Sequence, residues 1–100
     1  MDRVKIEIQY FLGCPNSESA LQMVKEFISK SDLKIDFTEV LVETQKAAEK
    51  YKFRGSPTIL INGEDLEGIP KSKTPSLSCR YYPNGLPTEK DLQKFIISEK

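Results

Sequence analysis

The sequence of 100 residues contains no histidine, no tryptophan and only two cysteines, Cys14 and Cys79. Without histidine the chain cannot form a cysteine–histidine nucleophile pair, a serine–histidine–aspartate triad or the commonest type of zinc ligand. Two cysteines without histidine also make a poor closed zinc site. The sequence therefore predicts neither a metal site nor another cofactor, and any chemistry is expected to centre on a cysteine thiol.

Long hydrophobic runs and an excess of one charge are absent as well. No apolar stretch approaches the ~20 residues that a membrane-spanning helix requires. The formal net charge is +0 and no long basic stripe is visible, so neither nucleic acid nor a membrane is expected as a partner. The N-terminus lacks an apolar segment of signal-peptide length, which predicts a cytoplasmic protein with reduced thiols. A reducing compartment argues against a purely structural bridge between Cys14 and Cys79.

The sequence does contain a regular succession of strand and helix patterns. Apolar and polar residues alternate over residues 4–10, which is typical of a half-buried strand. Apolar residues at helical spacing predict a helix at about residues 15–30, with Pro15 at its first position and Cys14 as its N-cap. A second alternation predicts a strand at about residues 33–42.

The second half of the chain predicts shorter elements. A helix is expected at about residues 44–52 and a β-branched strand at 58–61. Asn62-Gly63 is a strong hairpin signal, because both residues tolerate positive φ. The return strand is therefore predicted at about residues 64–67.

A loop rich in proline, serine and lysine is predicted over residues 68–87, and Thr88 is the expected N-cap of a last helix. The element order is β-α-β-α-β-β-α. Its strand–helix–strand unit implies a right-handed parallel crossover, and its hairpin adds an antiparallel pair. The prediction is one α/β domain over residues 1–100, with a mixed four-stranded sheet flanked by helices. Phe11 and Leu12, which follow the first strand, are expected in the core.

This order, together with three short motifs, resembles the thioredoxin superfamily. Cys14-Pro15-Asn16-Ser17 stands where the family has its Cys-x-x-Cys or Cys-x-x-Ser motif. Gly55-Ser56-Pro57-Thr58 stands where the family has a cis-proline, and Asn62-Gly63 stands at the usual hairpin. More narrowly, the motifs are similar to those of a group of small bacterial members with a single motif cysteine, some labelled alkylmercury-lyase-like. Ser17 replaces the second motif cysteine and Gly13 the usual tryptophan, which departs from the ordinary dithiol mechanism.

The resemblance also implies how a substrate is held. It implies a thioredoxin-like fold in which the Ser56–Pro57 peptide bond is cis. The backbone N–H and C=O of Ser56 are then expected to pair with an extended substrate chain, a form of strand addition. Pro15 and Thr58, on either side of the same site, are the other expected substrate contacts.

Cys14 is the expected nucleophile. The thiolate is the reactive form of cysteine, and a helix N-terminus lowers a thiol pKa from ~8.5 into a range of roughly 3.5–7.5. The Ser17 hydroxyl is expected to point at the sulfur, whereas the Glu18 carboxylate opposes a second negative charge. Because Ser17 cannot resolve a mixed disulfide, two routes stay open: a small thiol such as glutathione, or Cys79 as the resolving cysteine.

Topology bears on the second of these routes. The first strand ends at Cys14, and the hairpin returns the chain to that end of the sheet, where the loop of residues 68–87 begins. The loop is therefore expected at the active-site end and brings Cys79 within reach, although a disulfide requires Cα atoms within about 7 Å. A small buried Cys79 without a role fits the sequence equally well.

Other residues of the loop have two interpretations each. Tyr81 and Tyr82 are expected either to pin the loop onto the domain or to line a substrate groove. Lys71, Lys73 and Arg80 are expected either to form a solvated face or to attract an anionic thiol.

Three functions follow from these observations. The favoured one is a thiol–disulfide oxidoreductase of thioredoxin or glutaredoxin type, with a thiol or disulfide as substrate and glutathione or a protein as candidates. The alternative is a non-catalytic binding module for a protein partner or for a soft metal ion shared by Cys14 and Cys79. The third is a structural domain with a vestigial site.

Overall fold

The computed structural model describes residues 3–14, 16–83 and 85–98. Four strands and three helices follow one another in the predicted order: β1 (Arg3–Tyr10), α1 (Asn16–Lys30), β2 (Lys34–Leu41), α2 (Gln45–Tyr51), β3 (Thr58–Ile61), β4 (Glu64–Asp65) and α3 (Glu89–Ser98). The prediction for β4 was two residues too long. This strand ends early because the Asp65 carboxylate accepts the backbone N–H of Glu67 at 2.8 Å, which closes a turn.

The strands form one mixed sheet in the order β2-β1-β3-β4. β1 pairs with β2 in parallel along its whole length, from Arg3 opposite Lys34 to Tyr10 opposite Leu41. β3 is antiparallel to both β1 and β4. The fold class and the mixed four-stranded sheet predicted from the sequence are therefore confirmed.

One face of the sheet carries the main hydrophobic core. Alternate residues of β1 and β3 pack against the inner sides of α1 and α3, which together bury ten residues: Val4, Ile6, Ile8, Ala20, Val24, Phe27, Ile59, Ile61, Leu92 and Ile96. Burying one large aliphatic side chain of this kind stabilises a fold by roughly 1.5–3 kcal/mol. This core holds β1 against α1, and the chain between those two elements carries Cys14.

The opposite face has a smaller apolar cluster around α2, built on Val42, Ala48 and Phe53. Phe11 packs against it edge-to-face, with its ring centroid 6.5 Å from that of Phe53. Leu12 does not join either cluster and is 76% exposed. The prediction of a buried Leu12 was wrong because β1 ends at Tyr10, so Leu12 lies in a turn and not on a sheet face.

Short polar caps define two of the helix starts. Thr44 Oγ1 accepts the backbone N–H of Ala47 at 3.0 Å in front of α2. At α3, the Asp91 carboxylate accepts the N–H of Thr88 at 2.9 Å, and Thr88 Oγ1 accepts the N–H of Asp91. This reciprocal pair is a capping box, and it places Thr88 where the sequence predicted the N-cap. Within the described residues, no helix is long and apolar enough to cross a membrane.

Candidate functional site

Cys14 lies between the end of β1 and the start of α1, and only 5% of it is exposed. The backbone N–H of Ser17 donates to the Cys14 carbonyl at 3.2 Å, in the tight turn that starts the helix. Cys14 is therefore a buried residue in the disulfide-bonded protein. Pro15, which was expected to open the helix and to contact substrate, lies outside the described residues.

Cys14 is joined by a disulfide to Cys79, 65 positions further along the chain, and their Cα atoms are 5.6 Å apart. The separation is below the limit of about 7 Å for a disulfide without backbone movement. Cys79, unlike Cys14, is exposed. The structure thus brings the two cysteines together at the end of the sheet where β1 terminates and β3 begins.

The segment of residues 78–80 pairs with Ser56 as a short parallel bridge. The Ser56 N–H donates to the Ser78 carbonyl at 2.9 Å, and the Arg80 N–H donates to the Ser56 carbonyl at 2.9 Å. The Ser56–Pro57 peptide bond is cis. The chain's own segment therefore uses both backbone groups that the resemblance assigned to a substrate.

The hydroxyl of Ser17, which was expected to point at the sulfur, hydrogen-bonds to other groups in the structure. Ser17 Oγ lies 2.6 Å from Ser56 Oγ and 3.3 Å from the Phe11 carbonyl, and these two are its hydrogen-bond partners within the described residues. Ser56 Oγ also accepts the Phe11 N–H at 3.1 Å. The two buried serines thus tie the end of β1, the first turn of α1 and the approach to β3 together beneath the disulfide.

Asp65 and Arg80 form a buried ion pair next to the disulfide that the sequence did not reveal. The guanidinium contacts both carboxylate oxygens, at 2.7 and 2.9 Å, and the side chains are only 1% and 7% exposed, respectively. Arg54 Nε lies 3.6 Å from the same carboxylate. The expectation of Arg80 on a solvated loop face was therefore wrong. Asp65 lies at an inward-facing position of β4, the edge strand. An acidic residue at such a position was the sequence signal that could have indicated a buried ion pair.

Burial and pairing act in opposite directions on this ion pair. Burial alone would raise the pKa of Asp65, but the hydrogen bonds and charge of Arg80 bring it below its ordinary value. Burial likewise acts to lower the pKa of Arg80, but the hydrogen bonds that its guanidinium donates to Asp65 reverse the direction and raise it. Both groups therefore stay charged in the folded protein.

Tyr82 and Tyr81 have different environments, although they are neighbours in the sequence. Tyr82 is buried, donates its hydroxyl to the Pro57 carbonyl at 2.6 Å and stacks beneath Arg80, with the guanidinium carbon 4.6 Å from the ring centroid. Burial raises the pKa of Tyr82 to about 12, although the Arg80 charge opposes the shift. Tyr81 is 82% exposed. Of these two tyrosines, only Tyr82 therefore anchors the loop to the rest of the domain.

Gly55 allows the loop to approach the sheet this closely. Its φ is +106°, and a Cβ at this position would lie 2.9 Å from Arg80 Cβ and 3.0 Å from Arg80 Cα. Residues with a side chain rarely adopt that backbone conformation. Glycine at position 55 is therefore needed for the contact between the segment of residues 78–80 and the sheet. Lys71 and Lys73, by contrast, are exposed.

A groove borders Cys14 on the side of α1. We call it the Cys14 groove; it encloses about 550 Å³ and is lined by Tyr10, Leu12, Gly13, Cys14, Ser17, Glu18 and Leu21. Burial raises the pKa of Tyr10 at its edge, and the Glu39 carboxylate 3.4 Å from the hydroxyl acts in the same direction. No cluster of three or more potential metal ligands occurs among the residues that the structure describes.

The fold and the site together define a thioredoxin-fold protein with a disulfide at the carboxyl end of its first strand. The thioredoxin domain family matches residues 4–77, and the chain belongs to that family. The match contains Cys14 and Pro57 and ends two residues before Cys79. No curated protein matches this chain.

Proposed function

We propose that this protein is a thiol–disulfide oxidoreductase in which Cys14 is the nucleophile and Cys79 is its redox partner. The observation that carries the proposal is the pairing of the two sulfurs across 65 positions, with Cα atoms 5.6 Å apart. The missing second cysteine of the motif, replaced by Ser17, is thereby supplied by a loop that the fold brings to the same end of the sheet.

The proposed reaction transfers two electrons. In the reduced protein, the Cys14 thiolate attacks one sulfur of a substrate disulfide, and the other sulfur leaves as a thiolate. The Cys79 thiolate then attacks the Cys14 sulfur, the second substrate sulfur leaves, and both released thiolates take up protons. The products are two substrate thiols and the Cys14–Cys79 disulfide, which a thiol reductant returns to the dithiol.

The position of Cys14 supports its role as the nucleophile. It lies two positions before the start of α1, a helix of 15 residues, and the partial positive charge of a helix N-terminus stabilises a thiolate. Glu18, in the first turn of α1, opposes this effect. Cys79 lies in a loop without a helix behind it. Cys14 is therefore assigned as the nucleophile and Cys79 as its partner.

The test equilibrates the protein in buffers with graded ratios of reduced to oxidised glutathione. The free thiols are then alkylated, and the intact mass gives the redox state of the two cysteines. The wild type is expected to interconvert between a dithiol and an internal disulfide. Cys79→Ser is expected to accumulate a mixed disulfide on Cys14, whereas Ser76→Ala, an exposed serine in the same loop, should behave as the wild type.

Two results contradict the proposal. In the first, the Cys14 thiol reacts with no disulfide, either in the reduced wild type or in Cys79→Ser. The other is a reduced protein that binds Cd²⁺ through both cysteines but shows no exchange, which is the result expected of the alternative, a soft-metal binding module.

A further inference from the structure

The segment of residues 78–80 is held beside Ser56 by contacts that do not depend on the redox state of Cys79. Arg80 forms its buried ion pair with Asp65, and Tyr82 donates to the Pro57 carbonyl at 2.6 Å. Neither contact involves sulfur, so we expect both to persist when the disulfide is reduced. The backbone groups of Ser56 are then expected to stay occupied in the dithiol state, which leaves an extended polypeptide no free position there.

The chemistry of exchange also places the substrate away from Cys79. A thiolate attacks along the axis of the S–S bond, so the attacking, central and leaving sulfur atoms lie close to one line. Cys79 attacks the Cys14 sulfur from the side of Ser56. The leaving sulfur of the substrate must therefore stand on the opposite side of Cys14.

The Cys14 groove is the space beside Cys14 that the loop carrying Cys79 does not line, and we assign the leaving sulfur to it. Its lining comes from the end of β1, the following turn and the first two turns of α1, and includes neither Ser56 nor residues of the loop. Its volume of about 550 Å³ is within the range of roughly 300–1,000 Å³ for small-molecule sites. Leu12, which is 76% exposed, contributes an apolar wall.

The formal charge of the side chains that line the groove is negative. Among the described residues that line it, Glu18 alone carries a formal charge. The nearby Glu39 carboxylate contacts the Tyr10 hydroxyl and is compensated by Lys25 Nζ at 3.3 Å. A cationic group on a bound disulfide would therefore meet the carboxylate of Glu18, which has no ion-pair partner among the described residues, whereas an anionic group would be repelled.

We propose that the Cys14 groove binds one half of a small-molecule disulfide that carries a cationic group, and that Glu18 determines this preference. The proposal rests on the proposed function and specifies its substrate class. In the first step Cys14 bonds to the substrate sulfur that lies in the groove, and the other substrate sulfur leaves as a thiolate. In the second step Cys79 displaces the sulfur in the groove, so that one small disulfide yields two thiols and the protein disulfide.

The test is single-turnover oxidation of the reduced protein at pH 7 and low ionic strength, quenched by alkylation and followed by intact mass. The oxidants are cystamine, which is dicationic, neutral 2-hydroxyethyl disulfide and anionic oxidised glutathione. Each rate is divided by the rate of the same oxidant with N-acetylcysteinamide, which removes differences in intrinsic reactivity. Cystamine is expected to have the largest normalised rate and oxidised glutathione the smallest.

Two variants assign the preference to the groove. Glu18→Gln is expected to reduce the ratio of cystamine to 2-hydroxyethyl disulfide by about two- to fivefold, the size of an exposed ion-pair effect. Glu26→Gln, an exposed carboxylate two turns further along α1, should leave the ratio unchanged. Leu12→Asn is expected to lower the rate at which both compounds oxidise the protein. Ile69→Asn, in the loop and 47% exposed, should lower neither rate.

The outcomes separate this inference from the proposed function. If no disulfide oxidises the reduced protein, the proposed function fails, and this inference fails with it. If all three oxidants react at equal normalised rates and Glu18→Gln changes nothing, the groove preference is refuted and the oxidoreductase stands. Faster oxidation by an extended hexapeptide carrying a mixed disulfide would also overturn the inference, because that substrate requires the position beside Ser56.

Discussion

Replacing Asp65 by asparagine removes the charge of the buried ion pair while it preserves the shape of the side chain. The Arg80 guanidinium, with a side chain 7% exposed, then loses the anion that compensates it, and Arg54 loses the same partner at 3.6 Å. Breaking one side of a buried ion pair typically costs about 3–5 kcal/mol. We expect Asp65→Asn to lower the free energy of unfolding by about 3 kcal/mol, because asparagine still accepts the nearby backbone N–H groups.

The measurement is urea unfolding of the oxidised protein at pH 7, followed by circular dichroism. Asp36→Asn is the matched control, because Asp36 pairs with Arg3 at the surface, with side chains 43% and 62% exposed. An exposed pair contributes about 0–1 kcal/mol. A loss of unfolding free energy for Asp65→Asn that is below about 1 kcal/mol, or equal to that of the control, would refute the inference that the Asp65–Arg80 ion pair anchors the loop.

The dependence on pH provides a second check of the same pair. The pKa of Asp65 in the folded state is below its ordinary value of 3.8, so the stability it contributes is present above that value. It is lost as the pH falls through the lowered folded-state pKa. The difference between wild type and Asp65→Asn should therefore be constant near neutral pH and shrink below about pH 4. A difference that grows on acidification would contradict the assigned direction.

Three further predictions concern the loop. Gly55→Ala should lower the unfolding free energy by about 1–3 kcal/mol, because its Cβ would meet Arg80; urea unfolding measures this. Tyr82→Phe should cost about 1–2 kcal/mol through the lost bond to Pro57, and should remove the phenol that titrates at about pH 12 in ultraviolet absorbance. Cys79→Ser should cost about 4 kcal/mol relative to the oxidised wild type, given the 65-residue separation, and nothing relative to the reduced one.

Local patterns sufficed to predict the secondary structure. The alternation in β1 and the helical spacing in α1 reflect burial of one face, which is a property of nearby residues. The hairpin at Asn62-Gly63 follows from backbone preferences, and both residues have positive φ in the structure. Deviations occur where a side chain intervenes, as at Asp65, or where a strand ends two residues before the apolar run does, as at Leu12.

The candidate site was predictable only in part. Cys14, Ser17, Ser56 and Pro57 belong to motifs that the sequence displays in their structural context. The occupation of Ser56 by the segment of residues 78–80 was not predictable, because backbone pairing between distant segments leaves no local pattern. The same holds for the orientation of the Ser17 hydroxyl, which depends on the position of Ser56 and not on the helix alone.

The sequence by itself determined the order of elements, the mixed sheet and the placement of Cys14 before α1, because each depends on short-range periodicity or turn chemistry. Tertiary structure alone decided that Cys14 is buried, that Cys79 is its disulfide partner and that Asp65 compensates Arg80. Each of these features joins residues at least 15 positions apart. Their interaction energy exists only after the sheet and the loop are assembled, so no local property of the chain encodes it.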